Sequence, residues 1–345
     1  MTGKKKKTRI KREVKNLGKL AHSLRKKGRY REAEERYRQA LEIDPNNVYA
    51  LAGLGDLKCK TKRFKEAVFY YKRCLDLEKY NRYALAGLGD AYRGLKDLDS
   101  ALEVWLHHLS LNPDDYKIIT RVADGFRKNG DLETSKRYYF LAIEKRPHDP
   151  YALMGLGGIY AKEGNDEEAI KFFEELMNIS EKPIRAFTSA ANIYRKQGLF
   201  QKAIDLYERA LEMDPRNSHA WHGKADCLRG IRDYPSAIKA WEMALKYGMD
   251  QRIGMTRIGD SYISLNDLEQ AEACYKKALS FGYDKYAYLG MSKVHVMRND
   301  LDKALEIISM LVEREPYDVR IAAESRRFAE RYPQVKKPGL VTIGT

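Results

Sequence analysis

A period of 34 residues constrains this chain more than any other feature. The stretches GRYREAEERYRQALEIDPNN from Gly28 and GLFQKAIDLYERALEMDPRN from Gly198 are near-copies that start 170 residues apart, five times 34. A third copy, NDLEQAEACYKKALSFGYD, starts at Asn266. A frame of 34 set at Val14 gives repeats 14–47, 48–81, 82–115, 116–149, 150–183, 184–217, 218–251 and 252–284, with a ninth, 285–318, one residue early. Self-similarity at this period is the mark of a stacked array of small structural modules.

The columns of this frame carry the physics. The twentieth place is Ala33, Ala67, Ala101, Ser135, Ala169, Ala203, Ala237, Ala271 and Ala304, and the eighth is always Ala, Gly or Ser. The twenty-fourth is aromatic in eight of nine repeats, from Tyr37, Tyr71 and Trp105 to Tyr275, with Ile308 the exception. Small residues let two antiparallel helices approach closely, and an aromatic fills the gap toward the next module. Five repeats close on a proline (Pro45, Pro113, Pro147, Pro215, Pro316), which stops a helix. Apolar residues recur at helical spacing in two blocks per repeat, separated by a short turn such as Lys-Lys-Gly-Arg at 26–29. Each repeat is therefore a helix–turn–helix that buries its apolar faces only by stacking on its neighbours.

These residues closely resemble the tetratricopeptide repeat, in the Leu54-Gly55, Leu88-Gly89 and Leu156-Gly157 pairs, the alanines, the aromatic and the closing proline. The resemblance covers residues 14–318 and implies an all-α, right-handed superhelical solenoid of about nine repeats. Residues 319–331 read as a C-terminal capping helix, because the apolar helix before them must be covered at the exposed end of an array. Residues 1–13 and 332–345 read as a basic, disordered N-terminal tail and a flexible C-terminal tail. Asp166 stands where other repeats put Tyr, Phe or Leu, which predicts a looser fifth turn.

Charge and cysteine usage narrow the functional classes. The net charge is +15, yet residues 1–31 hold 14 of the 64 basic side chains and one of the 49 acids. The array itself is nearly neutral, so it lacks the continuous basic stripe of a nucleic-acid-binding repeat. The mean hydropathy of −0.62 and the lack of a run near the roughly 20 apolar residues of a membrane helix argue against a membrane span. Four widely spaced cysteines without a Cys-x-x-Cys pair point to a reducing compartment, the cytoplasm.

No catalytic, metal or cofactor site is expected. The flanks outside the repeats are too short for a catalytic domain. His219 and His222 lack the four convergent ligands of a zinc site, and His107-His108 cannot face one way. The Gly-Leu-Gly triplets at 53–55, 87–89 and 155–157 recur with the repeat inside a helix, so packing accounts for them rather than phosphate.

The resemblance implies that the first helix of each repeat lines a concave face, with the second, sixth, ninth and twelfth places toward a ligand. The second place offers Tyr49, Tyr83, Tyr151 and Tyr286. The ninth offers Asp56, Asp90, Asp124, Asn192, Asp226 and Asp260, and the twelfth Arg93, Arg127, Arg195 and Arg229. They read as a ladder of acceptors and donors, with sixth-place glycines (Gly53, Gly87, Gly155, Gly223, Gly290) leaving room for a partner backbone. The lysine–asparagine clamp by which some relatives hold a terminal carboxylate is absent. The expected function is a non-enzymatic scaffold for an extended segment of another protein, one with basic or donor side chains. The alternative is an adaptor tethered to RNA, ribosome or another polyanion through residues 1–31, with Lys4, Lys5, Lys6, Lys7, Arg9, Lys11 and Arg12 as the tether.

Overall fold

A computed structural model describes residues 2–335, with side chains from Thr8 onward. The described residues form nineteen α-helices and no strand. They divide within the tenth helix into two compact bodies, one up to Glu175 and one from Leu176.

In the N-terminal body the hairpins are α1 (Thr2–Lys26) with α2 (Tyr30–Ile43), α3 (Val48–Lys60) with α4 (Phe64–Leu77), α5 (Arg82–Gly94) with α6 (Leu98–Leu111), and α7 (Tyr116–Asn129) with α8 (Leu132–Lys145). α9 (Pro150–Glu163) and most of α10 (Asp166–Ile179) follow. In the C-terminal body they are α11 (Ile184–Lys196) with α12 (Phe200–Met213), α13 (Ser218–Gly230) with α14 (Tyr234–Lys246), α15 (Gln251–Ser264) with α16 (Leu268–Ser280), and α17 (Lys285–Met297) with α18 (Leu301–Arg314). α19 (Val319–Arg331) closes it.

Local sequence explains the boundaries. Asn47, Asn81, Asp115 and Asn217 each accept a backbone N–H from three residues on, which satisfies an orphan donor at the start of a first helix. Every turn between paired helices has a residue with positive φ at the fifteenth place. Glycine fills it at Gly28, Gly130, Gly164 and Gly198, where a left-handed backbone costs least, whereas Lys62, Lys96 and Arg232 carry some strain there. The fifth turn is not looser. Asn165 N–H donates to the Tyr160 carbonyl at 2.9 Å, as Arg63 and Leu199 do to Lys58 and Tyr194 in other turns of the same type, and Asp166 opens α10, where an acid favours the helix dipole.

The core is the small-and-aromatic lattice read from the columns. Ala33, Ala67, Ala101, Ala203 and Ala237 are fully buried, as are the rings of Tyr37, Tyr71, Trp105, Tyr207 and Trp241.

Two flanking segments differ from expectation. Residues 2–13 are helical, the opening turns of α1, rather than a disordered tail. Lys and Arg are good helix formers, and once Val14 and Ala21 anchor the helix, extension adds a hydrogen bond per residue. At the other end Tyr332 and Val335 pack against the cluster of Ala304, Leu305, Ile308 and Phe328, the Phe328 and Tyr332 rings 5.2 Å apart, so the flexible tail does not begin at 332. The rest of that tail, 336–345, lies outside the described residues, as do the side chains of Lys4, Lys5, Lys6 and Lys7.

Candidate functional site

On the first helices the second and ninth places lie seven residues apart, close to two helical turns, so they share a face. Tyr49, Tyr83 and Tyr151 stand on it with 52%, 83% and 78% of their surface exposed. No internal packing accounts for Tyr83 or Tyr151. The Tyr49 ring lies over Gly18, within 3.0 Å of where a Cβ there would sit.

The ninth-place acids are engaged by the protein's own cations. Asp56 pairs with Arg25 of the preceding repeat at 3.1 Å and accepts the Tyr71 hydroxyl at 2.7 Å. Asp90 pairs with Arg93 at 3.0 Å and with Arg121 at 3.1 Å. Asp124 takes Arg127 and Lys128, the latter at 2.8 Å. In the C-terminal body Arg195 reaches Asp226 at 3.2 Å, with His222 at 3.6 Å and Arg229 at 3.7 Å. Asn192 and Asp260 accept the Tyr207 and Tyr275 hydroxyls at 2.8 and 2.9 Å. The ladder exists, but as a set of internal ion pairs and hydrogen bonds. It presents no excess of negative charge to a basic partner, which corrects the reading made from the aspartate column alone.

Titration follows the same geometry. Burial raises the Asp90 and Asp260 carboxyls above the ordinary carboxylate range; at Asp90 the two arginines only partly offset it. Burial pushes the same way at Asp124, but hydrogen bonds from Lys128 and Arg127 outweigh it and hold this carboxyl low. A depressed folded value means that the cluster stabilises the fold above the free carboxyl pKa of about 3.9 and loses that contribution as pH falls through the folded value. Asp124→Asn is therefore expected to flatten the acid limb of a plot of urea midpoint against pH below about pH 4. Identical limbs for the two proteins would refute this role.

The sixth-place glycines have a different job from the one expected. A Cβ on Gly53 would lie 2.4 Å from the Tyr37 ring, on Gly87 2.3 Å from Tyr71, and on Gly155, Gly223 and Gly290 2.2 Å from Tyr139, Tyr207 and Tyr275. These glycines receive the buried tyrosine of the preceding repeat, so the space is filled by the chain itself and leaves no channel for a partner backbone. Where the preceding aromatic is tryptophan, the sixth place is arginine: Arg121 follows Trp105 and Arg257 follows Trp241. The sequence reading missed both arginines, although the pairing of tyrosine with glycine and tryptophan with arginine is visible in the columns.

Family profiles for the tetratricopeptide repeat match residues 13–79, 149–216, 188–250 and 254–281. The chain belongs to the tetratricopeptide repeat family. No curated protein sequence matches it. Solved structures share the fold of this tetratricopeptide protein. A tetratricopeptide repeat protein from Parabacteroides merdae aligns with TM-score 0.57 and 16% identity over 72% of this chain and 99% of that one. PilF of Pseudomonas aeruginosa aligns with TM-score 0.55 and 16% identity over 63% and 99%. A chain of the APC/C hetero-tetramer Cut9–Hcn1 aligns with TM-score 0.53 and 13% identity over 86% of this chain and 58% of that one.

Two further observations bear on chemistry. Among the described residues no group of three or more His, Cys, Asp or Glu could hold a metal ion, and no helix is long and apolar enough to cross a membrane. The four cysteines are free, and burial pushes the Cys59, Cys74 and Cys227 thiols up to about 11, away from the thiolate form that reacts.

Proposed function

We propose that this tetratricopeptide protein is a non-enzymatic interaction scaffold that holds an extended segment of a partner protein against the first helices of its repeats. The observation that carries this reading is the row of exposed tyrosines, Tyr49, Tyr83 and Tyr151, on one face beside fixed charged groups. Tyrosine brings a large, rigid contact area that loses little conformational freedom on binding, so an exposed row of them suits recognition. In the N-terminal body Asp56, Asp90 and Asp124 with Arg93 and Arg127, and in the C-terminal body Asn192, Asp226 and Asp260 with Arg195 and Arg229, supply donors and acceptors held by ion pairs or, at Asn192 and Asp260, by tyrosine hydroxyls. Preorganised groups of this kind orient a segment more than they add raw affinity. The Cut9–Hcn1 assembly, in which a chain of like fold sits in a hetero-tetramer, fits the reading.

A peptide display library panned on the full chain tests it. Enriched peptides are expected to bind at least tenfold more weakly to a Tyr83→Ala/Tyr151→Ala variant with unchanged helix content. No enrichment, or equal affinity for that variant, counts against the face.

A second reading has its own observation. Thr8 to Glu13 of α1 are all exposed, and among the described residues Arg9, Lys11 and Arg12 take part in no ion pair. A basic helix of this kind suits a salt-sensitive tether to a polyanion. Deleting residues 1–13 in parallel separates the two readings, because only the tether's ligands are lost with them.

A further inference from the structure

The C-terminal body contains a cavity of about 770 Å³ walled by α13, α15, α17 and α19. Arg229, Arg257, Lys293 and Arg320 line it, one from each of those four helices. The acids in its walls are already committed. Asp284 caps α17 and accepts the Thr256 hydroxyl at 2.9 Å, and Glu324 pairs with Arg327 at 3.1 Å. Asp260 accepts the Tyr275 hydroxyl at 2.9 Å, and burial raises its carboxyl even though that bond and the charges of Arg257, Lys293 and Arg229 partly offset it.

The repeat itself supplies the control. Arg121 and Arg257 hold the same sixth place four repeats apart. Arg121 finds Asp90 of the preceding repeat at 3.1 Å. The corresponding acid for Arg257 is Asp226, which Arg195 already holds at 3.2 Å, with Arg229 and His222 beside it. Among the described residues neither Arg257 nor Lys293 enters an ion pair, and the Arg320 guanidinium rests only on the Tyr286 ring, 5.0 Å from its centroid. Arg257 and Lys293, each without an ion pair, repel one another and the neighbouring Arg229 and Arg320, so an anionic occupant is the simplest way to relieve them.

We propose that this cavity binds an acidic peptide segment whose side-chain carboxylates are held by Arg257, Lys293, Arg229 and Arg320. The spacing favours a peptide over a single compact anion. Packed helices lie ~8–10 Å apart, and same-face side chains of an extended chain recur about every 6.6 Å, so neighbouring cations can each meet a separate carboxylate. Asp260 and Glu324 interrupt the cations, which disfavours the uniform charge of a nucleic-acid backbone. Tyr286, half exposed at the rim, adds a flat contact. Arginine matches a carboxylate with two parallel N–H donors.

Fluorescence anisotropy on the full chain tests the assignment. The probe is an amidated octapeptide alternating Glu and Ser, so no terminal carboxylate can substitute for the side chains. Its Gln-for-Glu analogue and an octauridylate serve as comparisons. Saturable, salt-sensitive binding of the Glu peptide alone is expected, weakened at least tenfold in Arg257→Gln/Lys293→Gln and unchanged in Tyr83→Ala/Tyr151→Ala. No binding of the Glu peptide overturns the proposal. So does equal binding of the Gln peptide, equal affinity for the Arg257/Lys293 variant, or octauridylate binding lost with the same two residues. Circular dichroism of the variant checks that its helices remain, and Arg257→Lys, which keeps the charge, should retain most of the affinity. Because the tyrosine variant lies in the N-terminal body, failure here leaves the scaffold reading standing, and the reverse also holds.

Discussion

Replacing Trp105 by alanine is expected to destabilise the protein by ~3–5 kcal/mol, the range for a large aromatic lost from a packed interior. Trp105 is fully buried. Its indole N–H points to the Ala86 carbonyl at 3.4 Å, and a Cβ on Gly89 would lie only 2.2 Å from the indole nitrogen. The ring therefore fills a space that its own hairpin partner leaves for it, and packs on α7 through Ile118 and Val122. Alanine would leave a void that α5, α6 and α7 cannot close without moving their backbones. Since repeats are held chiefly by their neighbours, the damage should be regional. Hydrogen exchange is the suitable measurement, with protection lost first across residues 82–129. A variant with wild-type protection there would show that the aromatic column does not carry the stacking energy.

Neutralising the acids around Lys58 is expected to cost a comparable amount. Lys58 is completely buried, with its ammonium 2.7 Å from Glu34 and 3.0 Å from Glu66, so α3 is bound to both α2 and α4 through one charge. Removing the acid partners of a buried charge typically costs ~3–5 kcal/mol, because an uncompensated ion remains. Glu34→Gln/Glu66→Gln should show this loss at neutral pH. Adding Lys58→Met should restore most of the loss, since an apolar group of similar length needs no counter-charge. Full stability of the double variant, or no rescue by methionine, would disprove the assignment.

Much of the fold was legible because the frame reports size. Alanine at the twentieth place and an aromatic at the twenty-fourth leave little choice but close-packed hairpins, and both columns are buried as their sizes require. The proposed recognition face was less legible. A column of aspartates looks like negative charge until the arginines three residues on, or one repeat away, are placed beside it, as with Arg25 and Asp56. Glycine at the sixth place looked like vacancy because its occupant comes from another repeat. The basic run near the N-terminus was misjudged for a simpler reason. Charge density was weighed, and the helix propensity of lysine and arginine was not.

The seating of each tyrosine in a glycine of the following repeat has a directional consequence. Completion runs toward the C-terminus, so a repeat emerging during synthesis keeps its ring uncovered until the next first helix arrives. The ninth repeat, followed among the described residues by α19 alone, carries Ile308 in place of a ring, and the residue that would have been the next socket is Glu324. A tenth module appended there would find neither the ring nor the glycine socket that join most of its predecessors.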